Sequence, residues 1–190
     1  MPGMMDTILN LGLNDTSVKG LAAVSGDNRF AYASYARLIA MYGRLVMGVD
    51  AAAFDEPLEA VRTDEGVTDD ARLSAAAWKA LCTSHKKAIR EHTKKAFPQD
   101  PQAQLRGAVD AVFGSWNGAR AVAYREREHI SHDLGTAVNV QVMVFGNRDD
   151  RSGTGVAFTR NAATGEDRPY GDFLVNAQGE DVVAGVRATA

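Results

Sequence analysis

The sequence predicts an α+β protein in which a helical part precedes a β-rich part. Long stretches with apolar residues at helical spacing fill the region from about residue 15 to about residue 130. From about residue 131 to residue 190, short β-branched runs alternate with glycine-containing turns. We therefore expect a helical lobe followed by a mostly antiparallel β lobe, with the boundary near Ser131.

Composition excludes several classes of protein. The 190 residues are 45% hydrophobic and 24% charged, as in ordinary globular proteins. A net charge of −3 gives no electrostatic reason to expect nucleic acid or an anionic membrane as a partner. No apolar run is long enough to cross a bilayer, the first residues do not resemble a secretion signal, and the single Cys82 fits a reducing compartment. We expect a cytoplasmic protein with no nucleic-acid or membrane partner.

The first half of the chain predicts a buried opening segment and a long helix. Residues 1–14 contain a dense apolar group, which favours burial over a free tail. N-cap residues at 25–28 precede a helical pattern over 29–47, and the acidic residues 51–70 predict a short helix with a surface connection. The face of the long helix predicted to be inward carries Tyr35, Leu38, Ile39, Tyr42 and Val46.

Two further long helices are predicted, over 70–95 and 101–127. The first should bury Leu73, Ala77, Leu81, Ala88 and Ile89, with Cys82 as a small buried hydrophobe. Its basic tail favours a solvated helix end, with phosphate binding as the alternative. The second helix starts at Pro101, has a bend predicted at Asn117–Gly118, and should bury Leu105, Val109, Val112, Phe113 and Trp116.

The stretch from Gly135 to Arg160 is the candidate binding element. Valines alternate through residues 138–144, which predicts a strand with one face toward a core. The other face carries Gln141 and Met143, whose amide and thioether suit the edge and the face of a heteroaromatic ring. The run Ser152–Gly155 then predicts a glycine-rich phosphate loop, although an ordinary hairpin connection is the alternative.

Acidic and histidine residues near the end of the chain give weaker signals. Strands are predicted at 156–159, 170–175 and 182–186, and carboxylates flank the last two. Carboxylates near phosphates commonly hold Mg²⁺, but exposed turn residues are an equally supported interpretation. His129 and His132 lack a complete ligand set, so a polar helix end is favoured over a metal site.

Eight blocks of sequence carry a family resemblance. In order, they are MPGMMDTILNLGLND, SGDNRFAYASYARLIAMYG, FPQDPQAQL, AVFGSWNGARAVAYR, GTAVNVQVMVFGN, SGTGVAFTR, TGE and NAQGEDVVAGVR. Together they closely resemble the nucleotide-binding domain of pyruvate, phosphate dikinase over nearly the whole chain. The resemblance implies part of an ATP-grasp fold that binds ATP and Mg²⁺. The family converts ATP, phosphate and pyruvate into AMP, pyrophosphate and phosphoenolpyruvate through a phosphohistidine carrier.

The resemblance also implies a set of site residues. The positions that match nucleotide-binding residues are Gly3, Met5, Gln141, Met143, Thr154, Gly155, Glu180 and Asp181. The first two belong to a loop that closes over the nucleotide, and the next two contact adenine. The threonine and glycine lie in the phosphate loop, and the acidic pair lies near the phosphates, with Glu180 as the expected metal ligand. Two departures are Asp172, where the family usually has glutamate, and Ala162, where it usually has proline.

Several parts of the family have no counterpart in this sequence, and no catalytic residue is implied. The parts without a counterpart are the segment with the nucleotide-binding lysine and catalytic arginine, the strand with the chief metal-binding carboxylates, the phosphohistidine domain and the pyruvate-binding domain. We therefore expect a truncated piece that does not turn over alone and that self-associates through open strand edges. Two alternatives remain open: part of a phosphoenolpyruvate synthase, which uses water in place of phosphate, and a non-catalytic nucleotide-binding module.

Overall fold

The computed structural model describes residues 4–183, and the chain divides into two units, Met1–Gln141 and Val142–Ala190. The helices of the first unit are α1 (Ser17–Ser25), α2 (Asn28–Leu45), α3 (Ala52–Glu65), α4 (Ala75–Thr93), α5 (Pro101–Ser115) and α6 (Ala119–Arg127). The second unit contains β1 (Gly153–Phe158), β2 (Tyr170–Val175) and α7 (Gly179–Val183). The expected α+β class is confirmed.

Helix α2 is the centre of the first unit. Asp27 caps its N-terminus by accepting a hydrogen bond from the Phe30 N–H at 3.0 Å. Tyr35, Leu38, Ile39 and Tyr42 are buried as predicted, and this face packs against α4 and α1. Val46, the fifth predicted residue, is half-buried and follows the last helical residue. The burial expected for the opening segment is confirmed in part: Leu13 belongs to the same core, while Ile8 and Leu11 are half-buried against it.

Helix α4 supplies the opposing face of this core. The residues predicted to face inward, Leu73, Ala77, Leu81, Ala88 and Ile89, are all buried, although Leu73 lies just before the helix. Cys82 is the small buried hydrophobe that was expected, and burial raises the pKa of its thiol to about 12. The helix starts at Ala75 instead of residue 70, because Ser74 caps it by accepting from the Ala77 N–H.

The helical unit differs from expectation at three points. Helix α1 was not predicted; it has no side-chain cap and is held by packing against α2. The helix predicted over 101–127 is two helices: the chain turns at residues 116–118, so the bend predicted at Asn117–Gly118 is a complete break. The buried face of α5 holds Gln104 and Ala108, while the predicted stripe of Leu105, Val109, Val112, Phe113 and Trp116 is only half-buried or exposed.

The β-rich unit also differs from expectation. No strand covers residues 138–144, and Val140, Val142 and Val144 are exposed, because alternation alone supplies no neighbouring strand to pair with. The predicted 156–159 strand starts earlier, at Gly153, while the 170–175 strand has the predicted bounds. Instead of a third strand, residues 182 and 183 end α7, and residues 184–186 lie outside the described residues.

Gly107 is predicted to be required for the contact between α5 and α2. A methyl group at this position would overlap the Tyr42 hydroxyl and lie 3.1 Å from Val46 Cγ1. Gly107→Ala should therefore lower the free energy of unfolding by about 1–3 kcal/mol in urea titrations. Gly114 on the same helix has nothing within 4 Å of such a methyl group, so Gly114→Ala should raise stability by about 0.5 kcal/mol. Equal effects of the two variants would contradict this packing.

Stability should fall on mild acidification because of His85. This residue is buried against α2 and α3, and burial lowers its pKa below the ordinary 6.5. As the pH falls below about 7, the His85 imidazole is therefore protonated in the unfolded chain before it is protonated in the folded chain. The free energy of unfolding then drops by at most about 1.4 kcal/mol per pH unit. In urea titrations between about pH 7.5 and about pH 5, His85→Leu should reduce this slope.

Phe54→Leu is the control for this effect. Phe54 stacks edge-on against the His85 ring, so the substitution perturbs the same part of the core but leaves the titrating group in place. The variant should lose stability and keep the pH slope of the unmodified chain. A slope that survives His85→Leu unchanged would rule out His85 as its source.

Candidate functional site

The segment that carries Met5 is anchored at both ends. Gln104 is fully buried and accepts from the Gly12 N–H at 2.9 Å, while its amide donates to the carbonyl oxygen of Leu13 at 3.0 Å. Farther toward the N-terminus, the Asp6 N–H donates to the Ser115 hydroxyl at 3.1 Å. These bonds fix the path of the segment beside α5. Sequence reasoning missed both anchors, although a glutamine among the apolar residues of a helix was a usable signal.

The Met5 side chain also contacts a second segment of the same unit. Its sulfur lies 3.5 Å from the Thr136 hydroxyl, just before the stretch that leads to Gln141. The loop candidate and the adenine candidate therefore belong to neighbouring segments of the first unit. Gly3, the other loop candidate, lies outside the described residues.

Gln141 and Met143 lie on an extended segment without a strand partner among the described residues. Gln141 is exposed and Met143 is half-buried, so the carboxamide is open to a ligand and is not part of an apolar interior. The boundary between the two units falls between these residues. Both side chains are therefore accessible, although the strand on which they were predicted to lie is absent.

The predicted phosphate loop is largely strand. Thr154 and Gly155 lie in β1, opposite Leu174 and Phe173 of β2. A Cβ atom at Gly153 would lie 2.5 Å from the Phe173 ring, and one at Gly155 would lie 2.6 Å from the Asp172 carbonyl oxygen. Strand packing thus explains why these positions are glycine. The Thr154 side chain is half-buried.

The two acidic candidates have different environments at the start of α7. Asp181 is buried and its carboxylate accepts from the Gln178 N–H at 2.8 Å. The Gln178 side chain is also buried and donates to Asn147 at 3.1 Å. Glu180 is exposed in the first turn of α7. Asp181 therefore fixes the turn into the helix, whereas Glu180 is the carboxylate that a ligand can reach.

Glu180 fits one requirement of a magnesium site. Mg²⁺ prefers hard oxygen ligands and commonly uses one or two protein carboxylates together with substrate phosphates and water. Helix α7 packs against β1, which carries Thr154, so a carboxylate and a hydroxyl lie on adjoining elements of the second unit. Among residues 4–183 there is no group of three or more His, Cys, Asp or Glu side chains that could hold a metal by themselves.

The basic end of α4 borders a cleft on the first unit. Lys86 is paired with Asp15 at 2.6 Å, and Lys87 lies 3.7 Å from Glu91. Burial raises the pKa of the Asp15 carboxyl, but hydrogen bonds from Lys86 and Tyr35 outweigh it, so the pKa is below its ordinary value. The cleft has a volume of about 370 Å³ and is lined by Asp15, Lys86, Lys87, Arg90, Ala96, Phe97 and Gln99. Two of its lysines thus already have carboxylate partners.

The histidines after α6 belong to a polar cluster. His132 Nδ1 accepts from Arg125 Nε at 3.0 Å, and the His132 carbonyl accepts from the Trp116 indole N–H at 3.2 Å. His129 has a left-handed backbone conformation with φ 55°.

None of the helices in residues 4–183 has the length and apolar character that a membrane span requires.

Comparison with known proteins identifies the class of domain first. Residues 1–189 match the family model described as "Pyruvate phosphate dikinase, AMP/ATP-binding domain". The chain is 57% identical over 187 residues to the pyruvate, phosphate dikinase of Rhizobium meliloti (strain 1021) and 56% identical over 189 residues to that of Giardia intestinalis. It is 56% identical over 187 residues to pyruvate, phosphate dikinase 1, chloroplastic, of Arabidopsis thaliana.

These matches show the family and its extent. Each relative aligns with 98% of this chain, while the chain spans only 21%, 21% and 19% of the length of the three relatives. The chain therefore belongs to the pyruvate, phosphate dikinase family and corresponds to its AMP/ATP-binding domain. The resemblance inferred from the eight sequence blocks is confirmed.

The difference between Asp181 and Glu180 can be tested by stability. Asp181→Ala removes a buried carboxylate and leaves the Gln178 N–H without this acceptor, so it should cost about 1–3 kcal/mol in urea unfolding. Glu180→Ala should change stability by less than about 0.5 kcal/mol, because the side chain is exposed. A larger loss for Glu180→Ala than for Asp181→Ala would contradict the assigned structural role.

Proposed function

We propose that this chain supplies part of the ATP-binding surface of a pyruvate, phosphate dikinase and folds as part of an ATP-grasp domain. The main support is the match of residues 1–189 to the AMP/ATP-binding domain of that family. Because the chain spans about a fifth of its relatives, the conversion of ATP, phosphate and pyruvate is proposed for the whole protein. For this chain the proposal is nucleotide binding without turnover, as a partner of the remaining dikinase domains.

Each candidate side chain has a chemical role in this proposal. The Gln141 carboxamide can both donate to and accept from the edge of adenine, while the Met143 thioether lies against the face of the ring. Met5 covers the nucleotide from the anchored opening segment, and Gly3 is assigned to the same loop by its match to the family sequence. Thr154 donates its hydroxyl to a phosphate oxygen, and Gly155 continues the strand beside it.

Mg²⁺ is proposed as the cofactor, with Glu180 as its protein ligand. When bound, the ion neutralises phosphate charge and orients the phosphate chain. Glu180 is favoured over Asp181 because its carboxylate is exposed, whereas that of Asp181 accepts from a backbone N–H. We also propose a cytoplasmic location. The relative from Arabidopsis thaliana is named chloroplastic, and that name applies to that protein.

The two alternatives have less support. A phosphoenolpyruvate synthase is disfavoured because the curated relatives described above are all named pyruvate, phosphate dikinase. Dependence of the whole protein on inorganic phosphate would distinguish these two enzymes. A non-catalytic nucleotide-binding module differs from the proposal only in that the whole protein would bind the nucleotide without converting it. Release of AMP and pyrophosphate by the whole protein would exclude it.

Binding of ATP with Mg²⁺ should stabilise the chain in thermal-shift and calorimetric titrations. A ligand at about one hundred times its dissociation constant adds about 2.7 kcal/mol. Gln141→Leu should weaken binding by about five- to tenfold, because one hydrogen-bonded contact with adenine is lost. Gln102→Leu is the matched control, since Gln102 is also an exposed glutamine and lies at the start of α5. It should bind like the unmodified chain.

The metal dependence has its own pair of variants. Glu180→Gln should reduce the gain in affinity for ATP that Mg²⁺ gives, while Glu126→Gln on the exposed side of α6 should not.

No stabilisation of the unmodified chain by millimolar ATP and Mg²⁺ would overturn the proposal that this chain binds the nucleotide. Equal effects of Gln141→Leu and Gln102→Leu would overturn the assignment of the adenine contact.

We also propose that the isolated chain self-associates through the extended segment. Val140, Val142 and Val144 are 67%, 89% and 84% exposed. Within residues 4–183, no hydrogen bond to another backbone segment covers residues 138–144. An exposed, unpaired and β-branched segment is a typical site of strand addition by a second copy.

The apparent mass by light scattering should therefore rise with concentration. The double variant Val142→Thr, Val144→Thr should shift this rise to higher concentration, because it removes apolar surface from the segment. Val24→Thr is the control, since Val24 is also 84% exposed but lies on α1. A monomer at all concentrations, or an equal effect of Val24→Thr, would contradict the proposal.

A further inference from the structure

Arg125 is buried without an acidic partner among the described residues. It is 1% exposed, and no carboxylate of residues 4–183 lies within ion-pair distance of its guanidinium. Burying a cation is costly, and apolar residues of similar size often stabilise a core as well or better. The presence of a guanidinium here therefore calls for a reason other than core stability.

The guanidinium instead joins three parts of the first unit. Its Nη1 donates to the Trp116 carbonyl, and its Cζ atom lies over the Trp116 ring, 3.9 Å from the ring centre. Its Nε donates to His132 Nδ1 at 3.0 Å, and the Trp116 indole closes the cluster by donating to the His132 carbonyl at 3.2 Å. The planar guanidinium group has N–H donors that point in several fixed directions, which suits this arrangement, whereas the ammonium group of a lysine does not provide them.

Both segments joined in this way lead to candidate nucleotide contacts. On one side, Trp116 follows Ser115, whose hydroxyl accepts from the Asp6 N–H beside Met5. On the other side, His132 precedes Thr136, which touches the Met5 sulfur and leads to Gln141. The Met5 loop and the start of the adenine segment therefore share one buried anchor.

We propose that Arg125 is a positioning residue, which sets the Met5 segment and residues 130–141 relative to each other. It does not contact the nucleotide and acts through Trp116 and His132. The inference rests on the proposed function, because its consequence for ligand binding requires the nucleotide to lie at Met5 and Gln141. Its structural part, the shared anchoring of two segments, can be measured without any ligand.

Hydrogen exchange of the chain, followed by mass spectrometry, tests the anchoring directly. In Arg125→Gln, peptides from residues 4–9 and 130–141 should exchange at least about tenfold faster. The variant loses the bond to His132, and it also loses the bond to Trp116, which follows the Ser115 anchor of residues 4–9. Peptides from α2 and α4 should exchange as in the unmodified chain. Arg125→Lys should behave like Arg125→Gln, since a positive charge without the guanidinium geometry does not restore the hydrogen bonds to Trp116 and His132.

Arg127→Gln is the matched control on the same helix. Arg127 is an exposed arginine paired with its neighbour Glu128, so its loss should leave both peptides unchanged. If Arg125→Gln does not fold, His132→Ala decides the question, because it removes the acceptor of Arg125 Nε from an exposed position. Faster exchange of residues 130–141 in that variant supports the inference, and unchanged exchange overturns it.

Three results would overturn the proposal: unchanged exchange in both peptides, an equal rise in α2 and α4, or full rescue by Arg125→Lys. Nucleotide titration separates this inference from the proposed function. Arg125→Gln should weaken binding of ATP with Mg²⁺ by about tenfold, while Arg127→Gln should not. If the unmodified chain fails to bind ATP, the proposed function of this chain fails, and the exchange data still decide the anchoring.

Discussion

The buried carboxamide of Gln104 is the interaction on which the helical unit most depends. It binds the backbone of Gly12 and Leu13 and also donates to the carbonyl oxygen of Pro98 at 2.8 Å. One side chain thus joins the opening segment, the connection after α4 and the start of α5. Burying an amide costs free energy unless its hydrogen bonds are made. Gln104 therefore stabilises only the arrangement in which all three segments bind it. That arrangement brings the Met5 segment beside the end of α5.

The helical core could be predicted from the sequence to the extent that it follows helical periodicity. The buried faces of α2 and α4, the small buried Cys82 and the buried Leu13 of the opening segment all appear where the sequence indicated. The prediction of which face of α5 is buried was wrong, because that face depends on hydrogen bonds and on the lack of a side chain at Gly107. Neither the hydrogen bonds nor the glycine adds an apolar residue to the helix, so hydrophobic spacing does not reveal this buried face. Arg125 was missed for the same reason, since its role depends on tertiary contacts of a charged side chain.

The β-rich unit was harder to predict because a strand requires a partner. Alternating valines predict which faces a strand would have, but they do not provide the neighbouring backbone that makes residues 138–144 a strand. The glycines of β1 match a phosphate loop in pattern, yet the Phe173 ring and the Asp172 carbonyl account for two of them. Likewise, two adjacent carboxylates in sequence have different environments, because Asp181 fixes the turn into α7 while Glu180 faces solvent. The family itself was predictable from eight ordered blocks, which is a much more specific signal than any one of these motifs.

We propose that the extended segment around Gln141 and Met143 holds the adenine ring. Photolabelling the chain with 8-azido-ATP and sequencing the modified peptides tests it most directly, because the azide crosslinks residues that touch the base. The label should fall within residues 136–145 and should disappear when unmodified ATP is added in excess. Labelling elsewhere that ATP displaces, such as the cleft at the basic end of α4, would contradict the claim.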